Sequence, residues 1–182
     1  MAEKRMGFVI IESRCIDCRA CMVACSVEND VPVGYHRNWV NTEGPTGTFP
    51  DLGMRHKPGN CMHCESPSCQ RVCPTGATYT RPDGVVLINY DDCIGCLYCI
   101  IACPYSARYV NEEIGGPDKC TFCTQRIDKG RAPACVETCL GKSRVYGDLN
   151  DPGSEVSRLL AENPSTRLLV DSGNGPQIYY IP

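Results

Sequence analysis

Asp92-Cys-Ile-Gly-Cys-Leu-Tyr-Cys-Ile-Ile-Ala-Cys-Pro104 decides the reading of this chain. It sets Cys93, Cys96, Cys99 and Cys103 in the order C-x2-C-x2-C-x3-C-P. An iron–sulfur cube takes one thiolate at each of its four irons, and two-residue gaps wrap three sulfurs around one cube. The last gap is three residues, a helical spacing. It carries the fourth sulfur about one turn further, roughly 6 Å along a helix, and away from that cube. Where two clusters lie together, the fourth Cys of such a run ligates the other one. One run therefore implies a second.

Working outward, the sixteen cysteines fall into four groups of four with none left over. The first is Cys15, Cys18, Cys21 and Cys25. The second is Cys61, Cys64, Cys69 and Cys73, the third is the stretch quoted above, and the fourth is Cys120, Cys123, Cys135 and Cys139. Each group begins with C-x2-C and ends with C-x3-C. All sixteen are expected to be iron ligands in four [4Fe–4S] clusters. Zinc is the competing ligand for the fourth group taken alone, because paired cysteines with a long gap are zinc-like.

Between the groups, residues 7–12 read as a short strand, Cys21 to Glu28 as a helix, and 26–60 as a Gly- and Pro-rich connector holding the only Trp, Trp39. A connector of that length usually has a function, here packing against the clusters or a partner. Residues 74–80 and 85–89 read as two strands joined by the turn Arg81-Pro-Asp-Gly84. Ala107 to Val110 reads as another strand, and Ser143 to Tyr146 as one that could pair with residues 7–12. Ser154 caps a helix to Glu162, with Val156, Leu159 and Leu160 at helical spacing. Leu168 to Val170 and Ile178 to Ile181 read as a terminal hairpin or extended tail.

The strand–turn–strand between groups two and three is what a compact two-cluster ferredoxin places between its halves. It pairs group two with three and leaves one with four. The crossing of each fourth Cys then yields four sets: Cys15, Cys18, Cys21 with Cys139; Cys120, Cys123, Cys135 with Cys25; Cys61, Cys64, Cys69 with Cys103; and Cys93, Cys96, Cys99 with Cys73. The expected fold is α+β, with two ferredoxin-like domains, one inserted in the other. The outer domain with its connector spans 1–57 and 111–150, the inner one 58–110, and a C-terminal helix and tail 151–182. Sequential pairing, one with two and three with four, is the alternative that the 16 residues between Cys103 and Cys120 permit.

Composition agrees with metal as the organising principle. Without its cysteines, the 42% apolar content falls to about a third of the residues, thin for this length. The N-terminal apolar run is only four residues before Glu12, which is no signal peptide. Dense cysteines without an export signal read as ligands rather than disulfides. No apolar stretch approaches the roughly 18 residues of a membrane span, and a net charge of −3 argues for neither nucleic acid nor an anionic membrane. His36, His56 and His63 are too few and irregular for a ligand set and read as surface or supporting residues. Neither Ser13, Ser26 nor Asp17 has the partners of a nucleophile, and there is no phosphate loop. No catalytic residues are expected, and the protein on its own is not an enzyme. On charge alone, Arg14, Arg19, Lys119, Arg126, Lys129 and Arg131 favour higher potentials in the outer clusters, and Asp91 and Asp92 a lower one in the Cys93 cluster.

Several stretches resemble the electron-transfer iron–sulfur subunits of the dimethyl sulfoxide reductase family of respiratory molybdenum enzymes, most of all the short members from polysulfide and thiosulfate reductases. They are Cys61-Met-His-Cys-Glu-Ser-Pro-Ser-Cys69, Val72-Cys-Pro-Thr-Gly-Ala77, Cys93-Ile-Gly-Cys96, Ala102-Cys-Pro-Tyr-Ser-Ala-Arg-Tyr109, Lys119-Cys-Thr-Phe-Cys123 and Pro133-Ala-Cys-Val-Glu-Thr-Cys139, continuing through Gly147-Asp-Leu-Asn-Asp-Pro152. The resemblance implies the nested pairing, a catalytic partner with a bis-pterin molybdenum or tungsten centre, and a membrane-anchor subunit that exchanges electrons with quinone. It sets the Cys15/Cys139 cluster near the pterin subunit and the Cys93/Cys73 cluster towards the quinone. Nitrate reductase relatives carry Trp at the position of Cys96 and a [3Fe–4S] cluster there, so Cys96 implies four irons. The C-terminal membrane helix of some formate dehydrogenase relatives is missing. The chain is expected at a membrane only through partners, on the periplasmic side by co-export with the catalytic subunit, with the cytoplasmic side as the alternative. A freestanding polyferredoxin carrier is the alternative function, though the connector and tail serve no purpose in one.

Overall fold

Met6–Ile11 runs through the centre of the protein with five consecutive buried residues. The computed structural model describes residues 3–182. In chain order its elements are β1 (Met6–Ile11), α1 (Ala20–Glu28), β2 (Asn38–Thr48), β3 (Asp51–Asn60), α2 (Ser68–Arg71), β4 (Thr78–Thr80), β5 (Val86–Ile88), α3 (Tyr98–Ile101), β6 (Arg108–Asn111), β7 (Gly116–Lys119), α4 (Thr124–Ile127), α5 (Ala134–Glu137), β8 (Arg144–Asp148), α6 (Glu155–Glu162) and β9 (Ile178–Ile181). It is a small mixed α/β fold. No helix among the described residues is long and apolar enough to cross a membrane.

β1 is flanked by β8, antiparallel with Val9 opposite Val145, and by β9, parallel with Ile10 opposite Tyr180. Because side chains alternate along a strand, the sheet has two different faces. Phe8, Ile10, Ile178 and Tyr180 face a core that contains Cys21, Cys61, Cys64, Cys120 and Cys135. Val9, Ile11, Val145 and Ile181 face α6 through Val156. Burial on both faces explains why Phe8-Val-Ile-Ile11 reads as an unbroken apolar run. Three two-stranded hairpins, β2–β3, β4–β5 and β6–β7, surround this sheet.

The strand at 7–12, the helix at 21–28, the pairing of residues 143–146 with β1, and the capped helix appear within a residue or two of expectation, and the β4–β5 pair forms with a shorter first strand, Thr78–Thr80. The Ser154 hydroxyl accepts the Ser157 N–H at 3.1 Å.

Three regions differ from the sequence reading. The connector becomes a long hairpin, with Asn38 paired to Asn60 and Thr48 to Asp51. Its Asn, Gly and Pro content is poor in local β signal; its anchorage comes from the base, where the Asn38 amide donates to the Cys21 carbonyl at 3.0 Å. Gly59 is required there, since a Cβ would lie 2.5 Å from the Trp39 indole nitrogen. Gly116-Pro-Asp-Lys119 forms β7 because β6 lies beside it, with Arg108 opposite Lys119. Leu168 to Val170 is not a strand, and only Thr166 bridges to Tyr180. The last strand instead joins β1, where burying Ile178, Tyr180 and Ile181 outweighs a local hairpin. Before it, residues 174–177 strap the second cysteine group: Glu65 N–H donates to Gly175 O, Ser66 N–H to Asn174 O, and Gln177 N–H to Met62 O. The C-terminal segment is thus part of the body.

Two substitutions test this framework. Ser154→Ala removes one cap and is expected to cost about 1 kcal/mol, lowering the thermal midpoint of the loaded protein by about 2–4 °C. Gly141 is more demanding. A Cβ there would overlap the Arg14 carbonyl, so Gly141→Ala must push apart the segments carrying Cys15 and Cys139. Iron analysis of the purified variant should read about one cluster fewer than wild type.

Candidate iron–sulfur sites

Each C-x2-C opening bends the same way. The residue before the second Cys is left-handed in all four groups: Asp17 (φ 50°), His63 (φ 41°), Gly95 (φ 67°) and Phe122 (φ 56°). Only one of the four is Gly, and the others carry a strain of about 1–2 kcal/mol each. A left-handed residue among right-handed ones turns successive N–H groups inward, making a concavity for an anion. Phe122 N–H points at Cys120 Sγ, 3.4 Å away. The third Cys of groups one, two, three and four then lies on α1, α2, α3 and α5 respectively. The fourth Cys lies four residues further on, one turn along.

The thiols gather around cavities. Cys15, Cys18, Cys21 and Cys139 line one. Cys25, Cys120, Cys123 and Cys135 line another. Cys61, Cys64, Cys69 and Cys103 line a third. For the remaining four, the Cys73 thiol adds to the upward shift of Cys99, Cys96 is exposed, and Cys93 is half-buried. Each cavity mixes three cysteines of one group with the last cysteine of another.

Electrostatics tests whether these residues fit a cluster. Burial pushes the Cys64 and Cys135 thiols up to about 12 and Cys25 up to about 11, and neighbouring thiols add to each. Burial also drives Cys120 well above the thiol range. Four thiols facing one space resist ionising together, and a metal that binds them as thiolates displaces their protons. Burial raises Cys73 as well, but the N–H groups of Thr78, Thr75 and Ala77 and the Thr75 hydroxyl bring it below the ordinary value.

Three buried cations stand beside the thiols: Arg108, Lys119 and Arg144, at 5%, 1% and 2% exposure. Among the described residues none has a carboxylate within ion-pair distance. Buried charge without a counter-charge is costly, and thiolate-ligated iron–sulfur clusters supply the missing anion. No three potential ligands among the described residues crowd onto one point as a single metal ion requires. The thiols ring a space instead, which suits a multi-iron cluster better than a lone zinc. The residues fit [4Fe–4S] clusters, and such a cluster when bound supplies one-electron transfer.

Sequence reasoning missed part of this setting. His63 is fully buried, stacked on Phe122 with ring centroids 3.6 Å apart, and its Nδ1 accepts the Val86 N–H at 3.0 Å. Arg108 and Arg144 gave no local signal beyond an Arg in a strand. Asn174, at the rim of the Cys61 cavity, gave none. Of the cations expected around the outer groups, Arg19 is paired with Asp17, Arg126 with Glu28 and Glu137, and Arg131 with Glu137. Those pairings remove much of the charge contrast behind the expected order of potentials.

Comparison with known proteins agrees with this chemistry. Families described as 4Fe-4S dicluster domains match residues 52–149 and residues 14–77. A Halobacterium salinarum protein assigned as an iron–sulfur subunit of dimethyl sulfoxide reductase is 42% identical, across 96% of this chain and 78% of the relative. A polysulfide reductase chain of Wolinella succinogenes is 41% identical, across 98% and 95%. A tetrathionate reductase subunit of Salmonella typhimurium is 39% identical, across 97% and 72%. With its cysteine groups, its thiol-lined cavities and these relatives, this protein belongs to the iron–sulfur electron-transfer subunits of the dimethyl sulfoxide reductase family of oxidoreductases.

Proposed function

We propose that this subunit holds four [4Fe–4S] clusters on all sixteen cysteines and relays electrons between a molybdopterin catalytic subunit and a quinone-linked membrane subunit. The observation that carries the reading is the mixed make-up of the cavities. Groups one and four share theirs by exchanging Cys25 and Cys139, and Cys103 of group three completes the cavity of group two. That supports the crossing pairs over the sequential alternative, and with them an inner ferredoxin-like unit inserted in an outer one.

The chain's own residues do the positioning. The left-handed openings aim backbone N–H groups at the sulfurs, and the hairpin base and the C-terminal strap cover the inner cavities against water. Two sites reach the surface, since Cys18 and Cys96 are the only exposed cysteines. Around Cys18, Ile16, Val23 and Leu140 are exposed; around Cys96, Ile94, Tyr98 and Ile101 are exposed. Buried sites between two accessible, apolar-rimmed ends suit a relay with a partner at each end. The names of the relatives, which come from dimethyl sulfoxide, polysulfide and tetrathionate reductases, support a catalytic partner. A membrane anchor and a periplasmic setting rest on the family resemblance.

Three measurements test this. The fully loaded chain should contain about sixteen irons, four in each of four cubes, and a clearly lower value counts against it. Cys96→Ser should convert one cluster to a [3Fe–4S] type, giving a new electron paramagnetic resonance signal in the oxidised protein while three clusters remain reducible. Loss of two clusters together would show that ligation is not divided as proposed. Purification from its own host, with metal analysis for molybdenum or tungsten, reads out the partner.

A further inference from the structure

The buried cations occupy particular places among the thiols. The Arg108 guanidinium lines the Cys61 cavity and its Nη2 donates to Cys69 Sγ at 3.0 Å. Cys69 packs against Cys99, which belongs to the next set, with Val86 completing the contact. Arg108 therefore stands where two sets meet. Arg144 repeats the arrangement at the other end. It lines the Cys15/Cys21 cavity, and its Nη1 donates to the Asn60 side-chain oxygen at 3.0 Å, while the Asn60 amide nitrogen lies 3.8 Å from Cys120 Sγ of the adjoining set. Lys119 fills the middle interval, donating to the carbonyls of Cys120 on one side and Val86 on the other.

A structural role alone does not account for them. Where this protein buries or half-buries an Arg for structure it supplies a carboxylate: half-buried Arg37 meets Asp118 at 2.9 Å and buried Arg126 meets Glu28 at 2.8 Å. Arg108 bonds the Thr78 hydroxyl and Cys69, Arg144 bonds the Asn60 amide oxygen and the Gly59 carbonyl, and no carboxylate among the described residues pairs with either. A guanidinium stays charged in a protein. Each of these charges is thus unbalanced unless anions form in the cavities beside it.

We propose that Arg108 and Arg144 are fixed counter-ions, each shared by two adjacent clusters, so that each residue sets two reduction potentials together. Arg108 serves the Cys61 and Cys73/Cys99 sets; Arg144 serves the Cys15 and Cys25/Cys135 sets. Reduction adds one electron to a cluster that is already anionic, and a fixed cation at the junction favours that electron on either side. A shared cation also keeps neighbouring potentials from drifting apart, which keeps transfer between them passable in both directions. The inference rests on the four-cluster reading above.

The experiment is a redox titration of the loaded complex, followed by electron paramagnetic resonance, on wild type, Arg108→Gln and Arg144→Gln. Four reducible clusters in wild type, with about sixteen irons, establish the four-cluster reading separately. Arg108→Gln should then weaken the electron affinity of two clusters by about tenfold, 59 mV for a one-electron couple, and leave the other two unchanged. Arg144→Gln should do the same to the complementary pair. Unchanged potentials, or an equal shift of all four in both variants, would overturn the proposal. If a Gln variant loses iron, the matching Lys variant decides. Loading and potentials restored by an ammonium support a charge role, and loss of iron in both means that the guanidinium is needed for its shape alone.

Discussion

Sixteen thiols packed into one small chain are the constraint on which everything else rests. Cysteines supply much of the buried apolar surface beside the central sheet, so the interior is organised around groups that repel one another when ionised. Such an interior is not stable as a set of thiolates without cations, nor is it a full hydrophobic core, since thiol-lined cavities interrupt it. Metal–thiolate binding can contribute on the order of 10 kcal/mol at a single structural site, comparable to the whole stability of an ordinary domain. Secondary structure can therefore be slight. Among the described residues four of the six α-helices are single turns, too short to persist alone, and three of them carry a thiol.

The longer elements close the cavities. The β2–β3 hairpin contributes its base, where Asn38 bonds to the Cys21 carbonyl and Asn60 to the Cys61 carbonyl, while its distal part lies in solvent. The C-terminal strap closes the Cys61 cavity through Asn174, whose side-chain oxygen accepts the Ser68 N–H at 2.9 Å and so pins the start of α2. The central sheet separates the two kinds of interior: thiols and aromatics on one face, aliphatic packing with α6 on the other. The cysteine loops are strained at their left-handed residues, and this surrounding structure holds them there.

Charge is distributed with the same economy. Carboxylates neutralise the cations near the surface of groups one and four, and Asp118 neutralises Arg37 inside. Arg108, Lys119 and Arg144 are left to the thiols. Buried cations thus stand among the thiols, while Cys18 and Cys96 reach the surface. That layout is what an electron relay requires: low local dielectric, fixed charges, and contact with partners only where an electron enters or leaves.

Much of this was legible in the sequence, and for a common reason. Cysteine spacing, the apolar run of β1, the turn between β4 and β5, and the Ser154 cap are all local signals, because each depends on residues within a turn or two of one another. Spacing also led to the crossed sets on which the proposed ligation rests. What was not legible depended on distant partners. The hairpin at 38–60 and β7 have weak local β signal and are stabilised by contacts elsewhere. The last strand had a plausible neighbour at 168–170 and chose β1 instead, about 170 positions away, because that pairing buries three large side chains. Arg108, Arg144, Lys119 and His63 have the composition of surface residues. Only the tertiary structure could bury them, since the groups that make their burial tolerable are thiols brought in from other parts of the chain.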